Sequence, residues 1–177
     1  MNANLSSTAS PPSRPTDVQS SSDNVVLGFT RDSVRDVFVK MLGMEMVDEE
    51  PSPLPGELAG QIAGSVGFVG KATGVVYLHT GVGLGKTITG KMLGLSEADV
   101  DDEMLNDAFG ELCNMVVGAV KSRLCDCGRT CVLTIPSIMR GSGLRIQDVA
   151  NSSRHVLGFR AGDKRLVVEV TVKGPAV

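Results

Sequence analysis

The chain has 177 residues and a net charge of −3, and 42% of its residues are hydrophobic. Its length suits one domain, or one domain of two similar halves, with a core of aliphatic side chains because aromatic residues make up only 3%. The acidic balance argues against a nucleic-acid-binding protein. We find no signal-peptide pattern and no apolar run near the 18 or so residues that span a bilayer. We therefore expect a cytoplasmic protein that does not insert into membranes.

The first half of the chain predicts a tail, a helix, a hairpin and a second helix. Residues 1–23 are rich in Ser, Pro, Thr and Asn, which predicts a flexible N-terminal tail before a domain covering residues 24–177. Thr30 is the predicted N-cap of a first helix that fades after Met46. The segments 58–69 and 74–79 flank a glycine-containing turn and predict a β-hairpin. A second helix is expected over residues 84–93.

The second half predicts one long helix followed by strands. Ser96 with Asp99 resembles a capping box, so the helix is expected to run from Glu97 or Asp101 to Leu124. Strands are predicted at 132–139, 154–161 and 164–173, and a tight turn joins the last two. This order predicts an α+β domain in which helices cover a largely antiparallel sheet.

Four residues of the long helix share one side, which we name the polar stripe. At about 100° per residue they fall within an arc roughly 60° wide and span about 16 Å of the helix. The apolar residues point the opposite way, so the polar stripe faces water. A glycine inside a helix costs about 1 kcal/mol relative to alanine, but on an exposed face it lets another molecule come close. We interpret the stripe as a docking and reaction surface. The alternative is an ordinary solvated helix face. The polar stripe comprises Asp107, Glu111, Asn114 and Gly118.

The cysteines raise the question of a zinc site. The usual pairs with a two-residue gap are missing, and the first cysteine lies about twelve residues before the others, on the long helix. We therefore expect free thiols in a reducing compartment, and no metal or cofactor bound by this chain. The two histidines are isolated in the sequence and are expected to be structural. The cysteines are Cys113, Cys125, Cys127 and Cys131.

Residues 80–87 resemble a phosphate-binding loop that follows a strand and opens a helix. The pattern requires a glycine where this chain has Thr80, and that glycine permits the backbone to bend around the phosphates. No apolar strand ending in Asp supplies the second nucleotide-binding motif. A glycine-rich turn is the simpler interpretation, and a nucleotide-binding enzyme using Lys86 is kept as an alternative.

The spacing within the polar stripe resembles the signature of the CheC/CheX/FliY phosphatases of bacterial chemotaxis. That signature is Asp or Ser, then Glu four residues on, Asn three further and Gly four further. The similarity extends from about Thr30 to Val172 and includes the stretch Ile135-Pro136-Ser137 with Gly141. It is closest to the CheX-like members, which carry one active motif on the second long helix. The first helix lacks the Glu and Asn, because the corresponding positions hold Ser33, Val37 and Lys40.

The resemblance implies the CheC-like fold, with long helices packed on an antiparallel sheet in pseudo-twofold halves, and a homodimer. It also implies a phosphatase that hydrolyses the phospho-aspartate of a CheY-like response-regulator receiver domain. Asn114 would orient the attacking water, and Glu111 would pair with the receiver's lysine. An amide does not titrate at neutral pH, so the contribution of Asn114 would be positional. Asp107 and Gly118 would support the docking face.

The Mg²⁺ that neutralises the phosphoryl oxygens would belong to the receiver, so no cofactor of the chain's own is implied. The main rival to a phosphatase is a non-catalytic CheX-like module that binds a signalling partner without hydrolysis.

Overall fold

The computed structural model describes residues 15–51, 60–142, 144, 146 and 150–173, with side chains from residue 23 onward. Within these ranges the chain forms helices packed on one face of a seven-stranded sheet. A short 3-10 turn, Glu97–Asp99, precedes the third helix. In chain order the elements are α1 (Pro15–Leu42), β1 (Val47–Glu49), β2 (Gln61–Gly70), β3 (Gly74–Gly81), α2 (Val82–Leu93), α3 (Asp102–Asp126), β4 (Cys131–Leu133), β5 (Ser137–Gly141), β6 (Ser152–Ala161) and β7 (Lys164–Lys173).

The sheet has the order β1-β6-β7-β3-β2-β4, with β5 also paired to β2. Every pair of neighbouring strands is antiparallel, which confirms the predicted α+β architecture. The hairpins β2–β3 and β6–β7 meet at the centre, where Val76 lies opposite Val170. The strand after α1 joins the second hairpin, and β5 after α3 joins the first. This exchange of outer strands is the topology expected of two similar halves.

The core lies between the helices and one face of the sheet. On β7, the side chains of Leu166, Val168 and Val170 are fully buried. Phe109 and Leu112 of α3 are also fully buried and contribute to the same core cluster. Burying side chains of this size stabilises the fold by about 1.5–3 kcal/mol each before entropy is counted, so the two layers hold each other in place.

Helix α1 begins at Pro15, so the predicted start at Thr30 was wrong, and residues 15–23 of the predicted tail are helical. Residues 1–14 lie outside the described part of the chain. Thr30 lies inside the helix, where its hydroxyl donates to the carbonyl of Val26 at 2.8 Å. The part of α1 that precedes Thr30 makes tertiary contacts: Val26 is buried in the core, and Asp23 lies 3.2 Å from His155 on β6. Such contacts override the polar composition of the segment.

In the second half, α3 begins directly after Asp101, one of the two predicted starts. The predicted capping box and one predicted strand differ from the structure. The hydroxyl of Ser96 donates to the carboxylate of Asp99 within the 3-10 turn, so the predicted capping box is wrong. Asp101 caps α3 instead, accepting from the backbone N–H of Met104 at 2.8 Å. The predicted strand 132–139 is divided into β4 and β5 around Pro136, since proline has no N–H for the strand ladder. No helix among the described residues is long and apolar enough to cross a membrane.

Candidate functional site

Helix α3 lies very close to the sheet because β2 has a glycine beneath it. A Cβ at Gly64 would overlap the sulfur of Cys113 and press on Phe109 and Ile138. The residues that face the sheet are fully buried, so the opposite side of α3 is turned to solvent. The packing at Gly64 therefore determines which side of the helix another molecule can reach.

Both ends of α3 are tied to the rest of the domain. At the start, Arg140 of β5 contacts Asp102 at 2.8 Å, and this guanidinium lowers the pKa of the Asp102 carboxyl. Near the end, Arg123 donates to Asp36 of α1 at 2.6 Å and to the hydroxyl of Ser33 at 3.3 Å. The bond from Arg123 is the main cause that lowers the pKa of Asp36. Anchored at both ends, α3 presents its outer side chains from a fixed support.

The structure brings the four residues of the polar stripe together on the outer side of α3. Asp107 and Glu111 are exposed, and Asn114 and Gly118 are half-buried. Within the described part of the chain, the carboxylate of Glu111 and the amide of Asn114 make no hydrogen bond or ion pair. A Cβ added at Gly118 would meet open space, so the domain's own packing does not require this glycine. The stripe thus carries a carboxylate, an amide and a bare patch of backbone that are free to meet another molecule.

The first helix does not provide a second site. Ser33 is fully buried and accepts from Arg123, while Val37 is 7% exposed. Lys40 is exposed and pairs with Asp36 on the next turn at 3.3 Å. Two of the three positions that correspond to the stripe therefore face the interior, and the single-site expectation fits the packing.

The four cysteines do not form a single cluster. Cys113 is buried under α3, and burial raises the pKa of its thiol to about 12, so the metal-binding thiolate is disfavoured. Cys125 lies about 18 Å further along the same helix, too far to share an ion with it. Among the described residues, no group of three or more His, Cys, Asp or Glu is arranged to hold a metal ion.

The resemblance of residues 80–87 to a phosphate loop is not reflected in the structure. Strand β3 runs to Gly81 and α2 begins at Val82, so no loop separates the strand from the helix. The hydroxyl of Thr87 donates to the carboxylate of Glu97 at 2.6 Å, and Lys164 lies against the same group. A phosphate at this position would meet a carboxylate, which argues against nucleotide binding by Lys86.

The connection between β4 and β5 borders the polar stripe, and in the sequence this stretch stands out only through the family resemblance. The ring of Pro136 lies 3.8 Å from the Cβ position of Gly110, one turn before Asn114. Ile135 next to it is 86% exposed. The signal in the sequence was a lone isoleucine before a proline, which periodicity cannot assign to any face.

The two histidines lie away from α3, each beside a carboxylate. His79 is buried on the sheet face opposite the helices, and its Nε2 lies 3.5 Å from Glu169. Burial lowers the pKa of His79, although the negative Glu169 acts in the other direction. Arg154 donates to the second oxygen of Glu169 at 2.7 Å. His155 lies 3.2 Å from Asp23 of α1, so each histidine has a carboxylate of the same domain as its neighbour.

Comparison with known proteins identifies the class. A family model described as "Chemotaxis phosphatase CheX" matches residues 62–160, more than half of the chain and all of the polar stripe. The chain belongs to the CheX family, and the resemblance inferred from the stripe is confirmed.

The relatives agree with this assignment. The chain is 26% identical over 125 residues to the CheY-P phosphatase CheX of Thermotoga maritima, covering 70% of this chain and 78% of that protein. A CheC-like superfamily protein from Shewanella sp. PV-4 matches with a TM-score of 0.73 and 26% identity, over 85% of this chain and 98% of its own. The CheX of a CheX–CheY–BeF3–Mg²⁺ complex from Borrelia burgdorferi has the same fold, with a TM-score of 0.70 and 20% identity over 84% of this chain and 97% of its own.

Proposed function

We propose that this protein is a phosphatase that hydrolyses the phospho-aspartate of a CheY-like receiver domain. The observation that carries the proposal is the pair Glu111 and Asn114, which lie one helical turn apart on the solvent side of α3 without partners among the described residues. The relative from Thermotoga maritima is named a CheY-P phosphatase, and the similar CheX from Borrelia burgdorferi was crystallised with CheY, BeF3 and Mg²⁺.

The reaction needs a water molecule held in line with the bond from phosphorus to the aspartyl oxygen. The amide of Asn114 has a donor and an acceptor at its tip, so it can hold such a water in one orientation. Holding the water in place removes part of the entropic cost of bringing two molecules together. Asn114 does not take up the proton, because an amide is not basic at neutral pH.

Glu111 carries the negative charge that a receiver's lysine would meet. An ion pair between exposed groups is weak by itself, but opposite charges across an interface determine register and speed association. Asp107 lies one turn before Glu111 and adds to the same negative field. Gly118 leaves the helix backbone bare where a docked receiver would approach α3 most closely.

The Mg²⁺ that accompanies phosphoryl transfer would be bound by the receiver and would neutralise the phosphoryl oxygens there. The chain's own residues would supply docking and the position of the water. A homodimer is also part of the proposal, supported by β1 at one edge of the sheet and by the exposed Val69 and Val132 near the other.

The decisive experiment measures phosphate release from the host's phosphorylated receiver domains, each with a catalytic amount of this protein. We expect at least one receiver in molar excess to be cleared many times faster than it decays alone. Binding without turnover would instead establish the rival, a non-catalytic signalling module, and neither binding nor turnover with any receiver would refute both.

A further inference from the structure

Ile135 is an exposed apolar side chain that the fold holds in a fixed position. It is 86% exposed, and no other large hydrophobic residue in the described part of the chain is as exposed. An isolated exposed apolar residue is ordinary on a protein surface. The surroundings of Ile135 make it different, because its neighbours on both sides are anchored beside the polar stripe.

Thr134, just before it, is bound to β2. Its N–H donates to the carbonyl of Gly67 and its hydroxyl accepts from the N–H of Gly67, both at 2.9 Å. The same hydroxyl contacts the carbonyl of Ile135 at 3.1 Å. Such a double attachment prevents the segment from folding inward, so Ile135 stays in solvent although burying it would be favourable.

Pro136, just after it, packs on α3. Its ring lies 3.8 Å from the Cβ position of Gly110. Gly110 is one turn from Asn114, so Ile135 lies within roughly 15 Å of the amide that orients water in the proposed reaction. A domain of about 100 residues has a radius of gyration near 13 Å. A receiver whose phosphorylated pocket reaches Asn114 therefore extends over Ile135 as well.

We propose that Ile135 is an apolar docking contact for the receiver domain, seated on a hydrophobic patch beside the receiver's phosphorylation pocket. This inference rests on the proposed phosphatase function. The polar stripe gives charge and chemistry but little apolar area, and Ile135 supplies the apolar contact at its border. Its role is binding and not catalysis, because it is held at a distance from the reacting atoms by the Pro136–Gly110 contact.

The test compares Ile135→Ser with Ile135→Leu in steady-state dephosphorylation of the cognate phosphorylated receiver. We expect Ile135→Ser to raise KM about tenfold and leave kcat unchanged, because lost apolar burial weakens binding equally in the ground and transition states. Ile135→Leu keeps the apolar surface and should restore a near-native KM. Met41→Ser is the matched control, since Met41 is also an exposed apolar side chain, at 61%, but lies in the last turn of α1, outside the polar stripe and the β4–β5 connection.

Binding of a BeF3⁻-charged receiver, measured by calorimetry, separates this inference from the phosphatase assignment. Binding that weakens in Ile135→Ser supports the docking contact even if the wild-type protein does not hydrolyse the phosphate. Wild-type turnover with an unchanged KM in Ile135→Ser overturns the docking contact and leaves the phosphatase intact. A loss of kcat with unchanged KM, or a dimer that dissociates in Ile135→Ser, also overturns it.

Discussion

Gly64 of β2 lies directly under Cys113 of α3, with no room for a side chain on the glycine. This contact lets the helix approach the sheet and turns the polar stripe to the opposite, solvent side. Cys113 and Asn114 are neighbours in sequence, yet one is fully buried and the other is half-exposed. The orientation of the proposed site therefore depends on a contact in the core.

Gly64→Ala should destabilise the protein by about 1–3 kcal/mol, the usual cost of forcing an extra methyl group into a packed core. Chemical denaturation measures the change in the free energy of unfolding. Cys113→Ala removes the overlapping sulfur, so the double variant should lose less stability than the sum of the two single variants. Additive losses would show that the Gly64–Cys113 contact does not limit the approach of the helix.

Gly118→Ala should stabilise the fold and impair function. The added methyl group meets open space, so the gain in helix propensity should raise the free energy of unfolding by about 0.5–1 kcal/mol. If a receiver approaches here, the same methyl group should lower kcat/KM. Gly28→Ala in α1 is the matched control, because its Cβ position is also open, and it should give a similar stabilisation with unchanged kinetics. If the Gly118→Ala variant were as active as the wild type, Gly118 would not be part of the docking face.

Asn114→Ala should lower kcat for receiver dephosphorylation by about a hundredfold or more while leaving receiver binding nearly intact, since misplacing a reacting group costs this much. Single-turnover phosphate release and calorimetric binding measure the two quantities. Asn106→Ala is the control on the same helix, because Asn106 lies outside the polar stripe and its buried side-chain oxygen has no hydrogen-bond partner among the described residues. Full turnover by Asn114→Ala would contradict the proposed role.

Glu111→Gln should raise KM about fivefold with a smaller change in kcat, because it removes one charge at constant size and weakens an exposed ion pair with the receiver. The salt dependence of kcat/KM should also become shallower, since screening acts on the charge that was removed. Asp163→Asn, in the exposed turn between β6 and β7, is the control for a general change in net charge. Equal salt dependence in the wild type and in Glu111→Gln would argue against a charge pair.

Stability should fall with decreasing pH because of His79. Burial lowers the pKa of His79 in the folded state. Below about pH 6.5, the imidazole is therefore protonated in the unfolded chain while it is still neutral in the folded protein. Above that pH, His79 is neutral in both states and does not reduce stability. Below it, the free energy of unfolding falls by up to about 1.4 kcal/mol per pH unit. His79→Gln should reduce the difference in stability between pH 7.5 and 5.5. If the free energy of unfolding fell equally with pH in the wild type and in His79→Gln, groups other than His79 would cause the loss of stability.

Local patterns were enough to predict much of this protein. The spacing of the apolar residues in α3 is a local property of the sequence that repeats with each helical turn. It therefore predicted both the buried side of the helix and the polar stripe. The order of charged and amide residues on the stripe carried the resemblance to the family that the comparisons confirm.

The tertiary structure decided what depends on residues far apart in the chain. Asp23 meets His155 on β6, and the composition of its own segment predicted a tail. Likewise, β1 and β5 pair with the hairpin of the other half. Ile135 is brought to the border of the polar stripe by the contact of Pro136 with Gly110 and by the bonds of Thr134 to Gly67. A window of sequence encodes the period of a helix or strand, but contacts between distant segments depend on how whole surfaces fit.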